Sequence, residues 1–173
     1  MNIFYSSQCP IESANNMCKV HINKQYQESI QLLSTALQLT GVVDPDLPKP
    51  THQNHPSAVW VRQSIQHYNW LVAHTKALRS LYWKESHGYD KYLDAVLSHT
   101  PNLPDIGFTT PPKCINTTEF PELKHDIVFS DVTVCYKKYL KIKYNHWLTR
   151  TDKRKIKVEF VNGVVPEYMG ESV

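Results

Sequence analysis

His21 and Glu28 stand seven residues apart in the stretch KVHINKQYQESIQLLSTA, residues 19–36. Seven residues make two helical turns, so on a helix the imidazole and the carboxylate share a face. A carboxylate there can act as a general acid–base or stabilise a developing cation, and a histidine can pass a proton or hold a phosphate. The same pair also occurs on the solvated side of an ordinary core helix, and spacing does not separate the two readings.

A second stretch with chemical content is KPTHQNHPSAVWVR, residues 49–62. It offers His52 and His55, the amide of Asn54, and then Trp60 and Arg62 on the opening turns of a helix. A loop entering a helix N-terminus presents amides without partners, which suits an anion, and the histidines can add hydrogen bonds to a phosphate or a base. His52, His55, His21 and Glu28 also form a possible zinc set. Neither a helical H-E-x-x-H nor a cysteine pair supports it, so no metal or other cofactor is expected. The plain alternative is that one histidine caps the helix and the other is buried and satisfied.

The third feature is charge. Lys137, Lys138, Lys141, Lys143, Arg150, Lys153, Arg154, Lys155 and Lys157 face only Asp152, a local charge of about +8 in a chain of net charge +3. Concentrated charge interleaved with Tyr136, Tyr139, Tyr144 and Trp147 is what a phosphate backbone with stacked bases would meet. A lysine-rich solvated helix is the competing reading. Cys9, Cys18, Cys114 and Cys135 show no C-x-x-C spacing and are expected to be reduced, with a catalytic cysteine left open. Five glycines allow no phosphate-cradling loop, and no G-x-S-x-G is present, which disfavours kinase, P-loop, Rossmann and hydrolase-elbow chemistry.

The elements that must position these residues are mainly helical. The pattern predicts a short helix over 10–17 and a long one over 18–39. The apolar stripe of the long helix is Ile22, Tyr26, Ile30, Leu33 and Leu37, centred about 140° from His21 at 100° per residue. Gln25, Glu28 and Thr35 fall on the His21 side, so that side is expected to be wet. Residues 42–56 form a proline-rich ordered loop. Further helices are predicted over 57–83, 89–98 and 129–147. A long proline-rich loop spans 100–122, and loops of that length are often functional. Asn162-Gly163 between two strand-like runs predicts a small C-terminal hairpin. The expected fold is a compact bundle of three long helices plus short ones with that hairpin appended: one domain, its helical core in 1–150 and its tail in 151–173.

Hydrophobic residues make up 41% of the 173 and charged residues 20%, ordinary for a globular protein. No apolar run approaches a membrane span, and MNIFYSSQCP has no basic segment followed by an apolar stretch, so a cytoplasmic protein without signal peptide or membrane partner is expected.

Two resemblances attach to these residues. M-N-I-F-Y (Met1–Tyr5), H-x6-E-x-x-Q-L-L-S-T-A (His21–Ala36), K-P-T-H-x-N-H-P-x-A-x-W-x-R (Lys49–Arg62), W-x-x-R (Trp147 to Arg150) and a late proline (Pro166) resemble a group of small phage and bacterial proteins of unsettled function. Against that group, residues 151–165 look like an insertion. More distantly, the His and Glu seven apart on a first long helix resemble the phage pyrimidine-dimer DNA glycosylases of the endonuclease V type, which are small, mostly helical and basic. That resemblance implies Glu28 as the acid residue, His21 as a DNA contact, and the terminal α-amine as nucleophile. An α-amine is less basic than a lysine, which suits attack at C1′ and passage through a Schiff base. The family places arginines beside its Glu, where this chain has Gln27 and Gln31. Asn2 disfavours removal of the initiator, which leaves the amine on Met1.

The function this implies is a DNA glycosylase, with or without strand cleavage at abasic sites, acting on a damaged or modified base in duplex DNA (in the host cytoplasm if phage-encoded), as a monomer or small homo-oligomer. Its backbone contacts would be Lys137, Lys138, Lys141, Arg150, Lys153, Arg154 and Lys155. The alternatives are a non-catalytic phage protein that binds nucleic acid or a host partner, and an enzyme on free nucleotides.

Overall fold

The computed structural model describes residues 1–81, 88–153 and 155–170. Its helices are α1 (Pro10–Asn15), α2 (Lys19–Leu39), α3 (Pro56–Gln63), α4 (Ile65–Leu81), α5 (Asp90–Leu97), α6 (Lys124–Phe129) and α7 (Val132–Thr149), with short 3-10 turns at Pro121–Leu123, Val161–Gly163 and Glu167–Met169. The chain is mainly helical. No helix among the described residues is long and apolar enough to cross a membrane.

The apolar stripe of α2 is buried as its spacing requires, against α3, α4 and α5. Its other side is not wet. His21, Gln25, Ser29, Ser34 and Thr35 are buried as well, because two segments cover them. Ser34 Oγ and Gln38 Nε2 both donate to the Pro48 carbonyl (2.6 and 2.7 Å), and Thr35 and Thr51 exchange hydrogen bonds, so the loop after α2 folds back along it. The amino-terminal segment covers the rest. Ile3, Phe4 and Tyr5 are all buried, and the Phe4 ring lies against His21 of α2 and against Tyr136 and Tyr139 of α7. Side chains of this size contribute roughly 1.5–3 kcal/mol each when fully buried. The segment's exposed-chain polar groups are also met: Ser13 Oγ accepts from the Ser6 amide (3.1 Å) and donates to the Phe4 carbonyl (2.7 Å). The first residues of the chain are thereby wedged between α2 and α7.

The helix predicted over 57–83 is two helices, broken at Ser64, whose backbone is extended (φ −150°, ψ 146°). The cause is the long loop. Ile65 N–H donates to the Pro104 carbonyl (2.9 Å), Ser64 Oγ to the Gly107 carbonyl (2.7 Å) and Trp60 Nε1 to the Thr109 carbonyl (2.9 Å). Residues 82 and 83 of that prediction lie outside the described residues. The helix predicted over 129–147 starts later, at Val132, because Ser130 is extended and closes α6.

The predicted C-terminal hairpin is a correction: no strand occurs among the described residues. Asn162 and Gly163 do take positive φ (53° and 71°), as Asn-Gly favours, but within a 3-10 turn. The runs on either side find other partners. The Glu159 carbonyl accepts from Lys19 N–H at the start of α2 (2.8 Å), and Phe160 packs on Tyr144. Pro166 lacks the donor a second strand would need. The tail then runs on to Tyr168, whose hydroxyl donates to the Asn16 carbonyl (2.7 Å).

Candidate active site

Glu28 projects from the middle of α2 with its side chain 17% exposed. Its Oε2 accepts from Gln25 Nε2 (3.1 Å) and from the backbone N–H of Asn2 (3.4 Å), and Oε1 lies 3.8 Å from Lys24 Nζ. The chain's first peptide group therefore touches the carboxylate. Asn2 fixes that approach through its side chain: Nδ2 donates to the Cys114 carbonyl (2.7 Å), and Oδ1 accepts from the Tyr136 hydroxyl (2.6 Å). Tyr136 is in turn held by the Cys114 N–H (3.1 Å). Asn2 is thus an anchor held at both ends of its side-chain amide, and Met1 beyond it is half-buried.

His55 joins this group. Its Nδ1 accepts from Ser57 N–H (3.2 Å) and caps α3. Burial holds the imidazole below its ordinary pKa, helped by the charge of the amino terminus and of His52 and opposed by Glu28. The terminus, Glu28 and His55 therefore lie within electrostatic reach of one another. The Cys114 thiol borders the same place, 3.7 Å from Ser57 Oγ; burial raises its pKa against the Ser57 hydrogen bond and the amino-terminal charge.

His21 does not belong on this surface. It is 3% exposed, packed among Phe4, Tyr144 and Trp147 at ring separations of 4.8, 5.3 and 4.9 Å. The Tyr144 hydroxyl accepts from Cys18 N–H (3.0 Å) and is hydrogen-bonded to His21 Nδ1 (2.9 Å). Burial, reinforced by the charges of Lys143 and Lys24, pushes its pKa down to about 3. A neutral, enclosed imidazole cannot be a DNA contact; it supports Phe4 and Trp147.

The remaining residues of the 49–62 stretch divide sharply. His52 is exposed at positive φ (49°), its Nδ1 2.7 Å from Thr51 Oγ1, and Asn54 is exposed. Arg62 Nη1 donates to the Gln53 carbonyl (2.6 Å) and staples the loop. Trp60 is buried and stacked on His67 (4.4 Å, 11°). Of the predicted binding set, His55 is the residue that lies within electrostatic reach of Glu28. The zinc set does not assemble: no group of three or more His, Cys, Asp or Glu that could hold a metal occurs among the described residues.

The basic segment is partly neutralised at short range. Lys138 pairs with Asp126 (2.7 Å), Arg150 with Asp152 (3.0 Å) and Lys157 with Glu159, while Lys141 is buried. Lys137 is half-buried, Lys153 and Lys155 are exposed, and Arg154 lies outside the described residues. Lys143, absent from the predicted contacts, is a cation of this segment that lies within electrostatic reach of Glu28. Burial lowers its pKa against the charges of Glu119 and Glu28, and it donates to the Tyr139 hydroxyl (2.8 Å). The pKa of Tyr139 is raised instead, by burial first and then by Glu119 and Glu28.

Comparison with family models, with curated proteins and with solved structures finds no match to this chain.

Proposed function

We propose that this chain is a DNA-acting enzyme of the glycosylase type, working on a damaged or modified base, with Glu28 as its acid–base residue and the α-amine of Met1 as its nucleophile. The observation that carries the reading is the contact of Asn2 N–H with Glu28 Oε2, together with the shared electrostatic reach of the terminus, Glu28 and His55. The α-amine, one residue before that contact, and the carboxylate are the two groups the chemistry needs. The amine attacks C1′ as the base leaves with a proton, the C1′–O4′ bond opens with protonation of O4′ and loss of the amine proton to give the Schiff base, and removal of a C2′ proton by the carboxylate expels the 3′ phosphate. Asn2 and His21 act as positioning residues, the first by clamping the terminus and the second from behind Phe4. The sugar must leave the duplex stack to reach such a site, and a nucleotide that is already mispaired or damaged costs least to extrude.

The test is incubation with duplex DNA carrying an abasic site or a pyrimidine dimer, with and without borohydride. The expected result is a covalent adduct with wild type and a loss of turnover on the base-bearing substrate with Glu28→Gln. Absence of both adduct and strand cleavage in wild type removes the reading.

A further inference from the structure

The last turns of α7, the residue that follows them and the chain ahead of α6 enclose a cleft of about 280 Å³ lined by Glu119, Phe120, Lys143, His146, Trp147 and Arg150. His146 and Trp147 follow Lys143 by three and four residues, so one face of α7 supplies three of the six, and Arg150 follows directly after the helix end. The walls are aromatic. Phe120 and His146 lie parallel (16°, 6.0 Å), and Trp147 is backed by His21 and Tyr144. Lys143 Nζ stands 5.2–5.8 Å from the ring centroids of Tyr139, Trp147 and Phe120.

The charge of this cleft is unbalanced. Lys143 and Arg150 are cations, and Glu119 is the one carboxylate among the lining residues. The ammonium of Lys143 has one hydrogen bond, to a neutral phenol, and is otherwise held over ring faces. Arg150 is anchored at Nε by Asp152 (3.0 Å), which fixes the plane of its guanidinium. A planar, anionic guest fits both halves of this chemistry. Aromatic faces accept a base in a sequence-tolerant way, and Lys and Arg accept its phosphate. The volume lies at the lower edge of the 300–1,000 Å³ of typical ligand clefts, which suits one nucleotide and no more.

We propose that this cleft seats a single nucleotide, its phosphate on Lys143 and Arg150 and its base against Trp147 and His146. Lys143 couples the cleft to Glu28, whose charge it feels. Its place as the pocket for the extruded nucleotide rests on the glycosylase reading; its affinity for a nucleotide does not.

Calorimetric titration with deoxythymidine monophosphate, thymidine and inorganic phosphate tests the proposal. The expected result is saturable binding of the monophosphate, with thymidine and phosphate each weaker by about tenfold or more. Lys143→Met should weaken the monophosphate by about tenfold while leaving thymidine unchanged. His146→Ala, at an exposed position that tolerates truncation, should weaken both nucleosides. Equal binding of phosphate and monophosphate, monophosphate binding that ignores Lys143→Met, or no saturable binding overturns the proposal. An eight-residue oligothymidylate binding more tightly than the monophosphate assigns the cleft to a strand; the reverse assigns it to free nucleotides, and either keeps the site. Borohydride trapping without monophosphate binding removes the cleft alone, whereas monophosphate binding without trapping removes the glycosylase reading alone.

Discussion

Replacing His21 with Gln gives the sharpest test of how the polar side of α2 is built. His21 is enclosed, neutral and held at a pKa of about 3, against 6.5 for the free side chain. Its folded-state pKa is depressed, so its contribution to stability is fully present above pH 6.5 and is lost as pH falls toward 3. At pH 5 the unfolded chain binds a proton at this position and the folded chain does not. The 1.5-unit interval from 6.5 to 5 corresponds to about 2 kcal/mol lost relative to neutral pH. His74 is buried with its Nδ1 on the Pro10 carbonyl and its pKa lowered to about 4, and it adds a similar loss of about 2 kcal/mol over the same interval. Urea unfolding of wild type should therefore show stability falling by about 4 kcal/mol between pH 7 and pH 5 beyond any general acid effect. In His21→Gln, where the side-chain amide can still hydrogen-bond Tyr144, about half of that fall should disappear. An identical fall in the two proteins would refute the enclosed, neutral His21 and the wedge of Phe4 that encloses it.

Three further outcomes follow from the same contacts. Asn2→Ala removes the donor to Cys114 and the acceptor for Tyr136, so thermal unfolding should register a cost of about 1–3 kcal/mol, with borohydride trapping falling further than stability does. Ser64→Ala removes the hydrogen bond to Gly107; faster amide exchange at 105–109 and a loss of about 1 kcal/mol should result, with α3 and α4 otherwise intact. DNA affinity should depend on salt less steeply than the slope of about −8 expected if all nine basic residues of 137–157 met phosphates, because Lys138, Arg150 and Lys157 already face carboxylates.

The helices were legible because their signals are local. The stripe of Ile22, Tyr26, Ile30, Leu33 and Leu37, and the proline and glycine punctuation around it, needed no tertiary information. The break at Ser64 was not legible, since the carbonyls that cause it belong to Pro104 and Gly107, forty residues away. The hairpin failed for the same kind of reason: Asn162-Gly163 adopted the backbone its residues favour, but Glu159 and Phe160 found better partners on α2 and α7. For the candidate site, the Glu28 position and its neighbour His55 were visible in the residue pattern. His21 was misplaced because a helix wheel shows which side is polar, not what covers it. Lys143 was hidden among eight other cations, although its spacing to His146 and Trp147 marks a common face.

In the proposed reaction the amine of Met1, one residue before the Asn2–Glu28 contact, is the reacting group. The most direct measurement is mass-spectrometric mapping of the borohydride-trapped adduct after proteolysis. The account predicts that the deoxyribose fragment is carried on the α-amine of the peptide beginning at Met1. An adduct on Lys143 or another lysine, with an unmodified amino terminus, would contradict it.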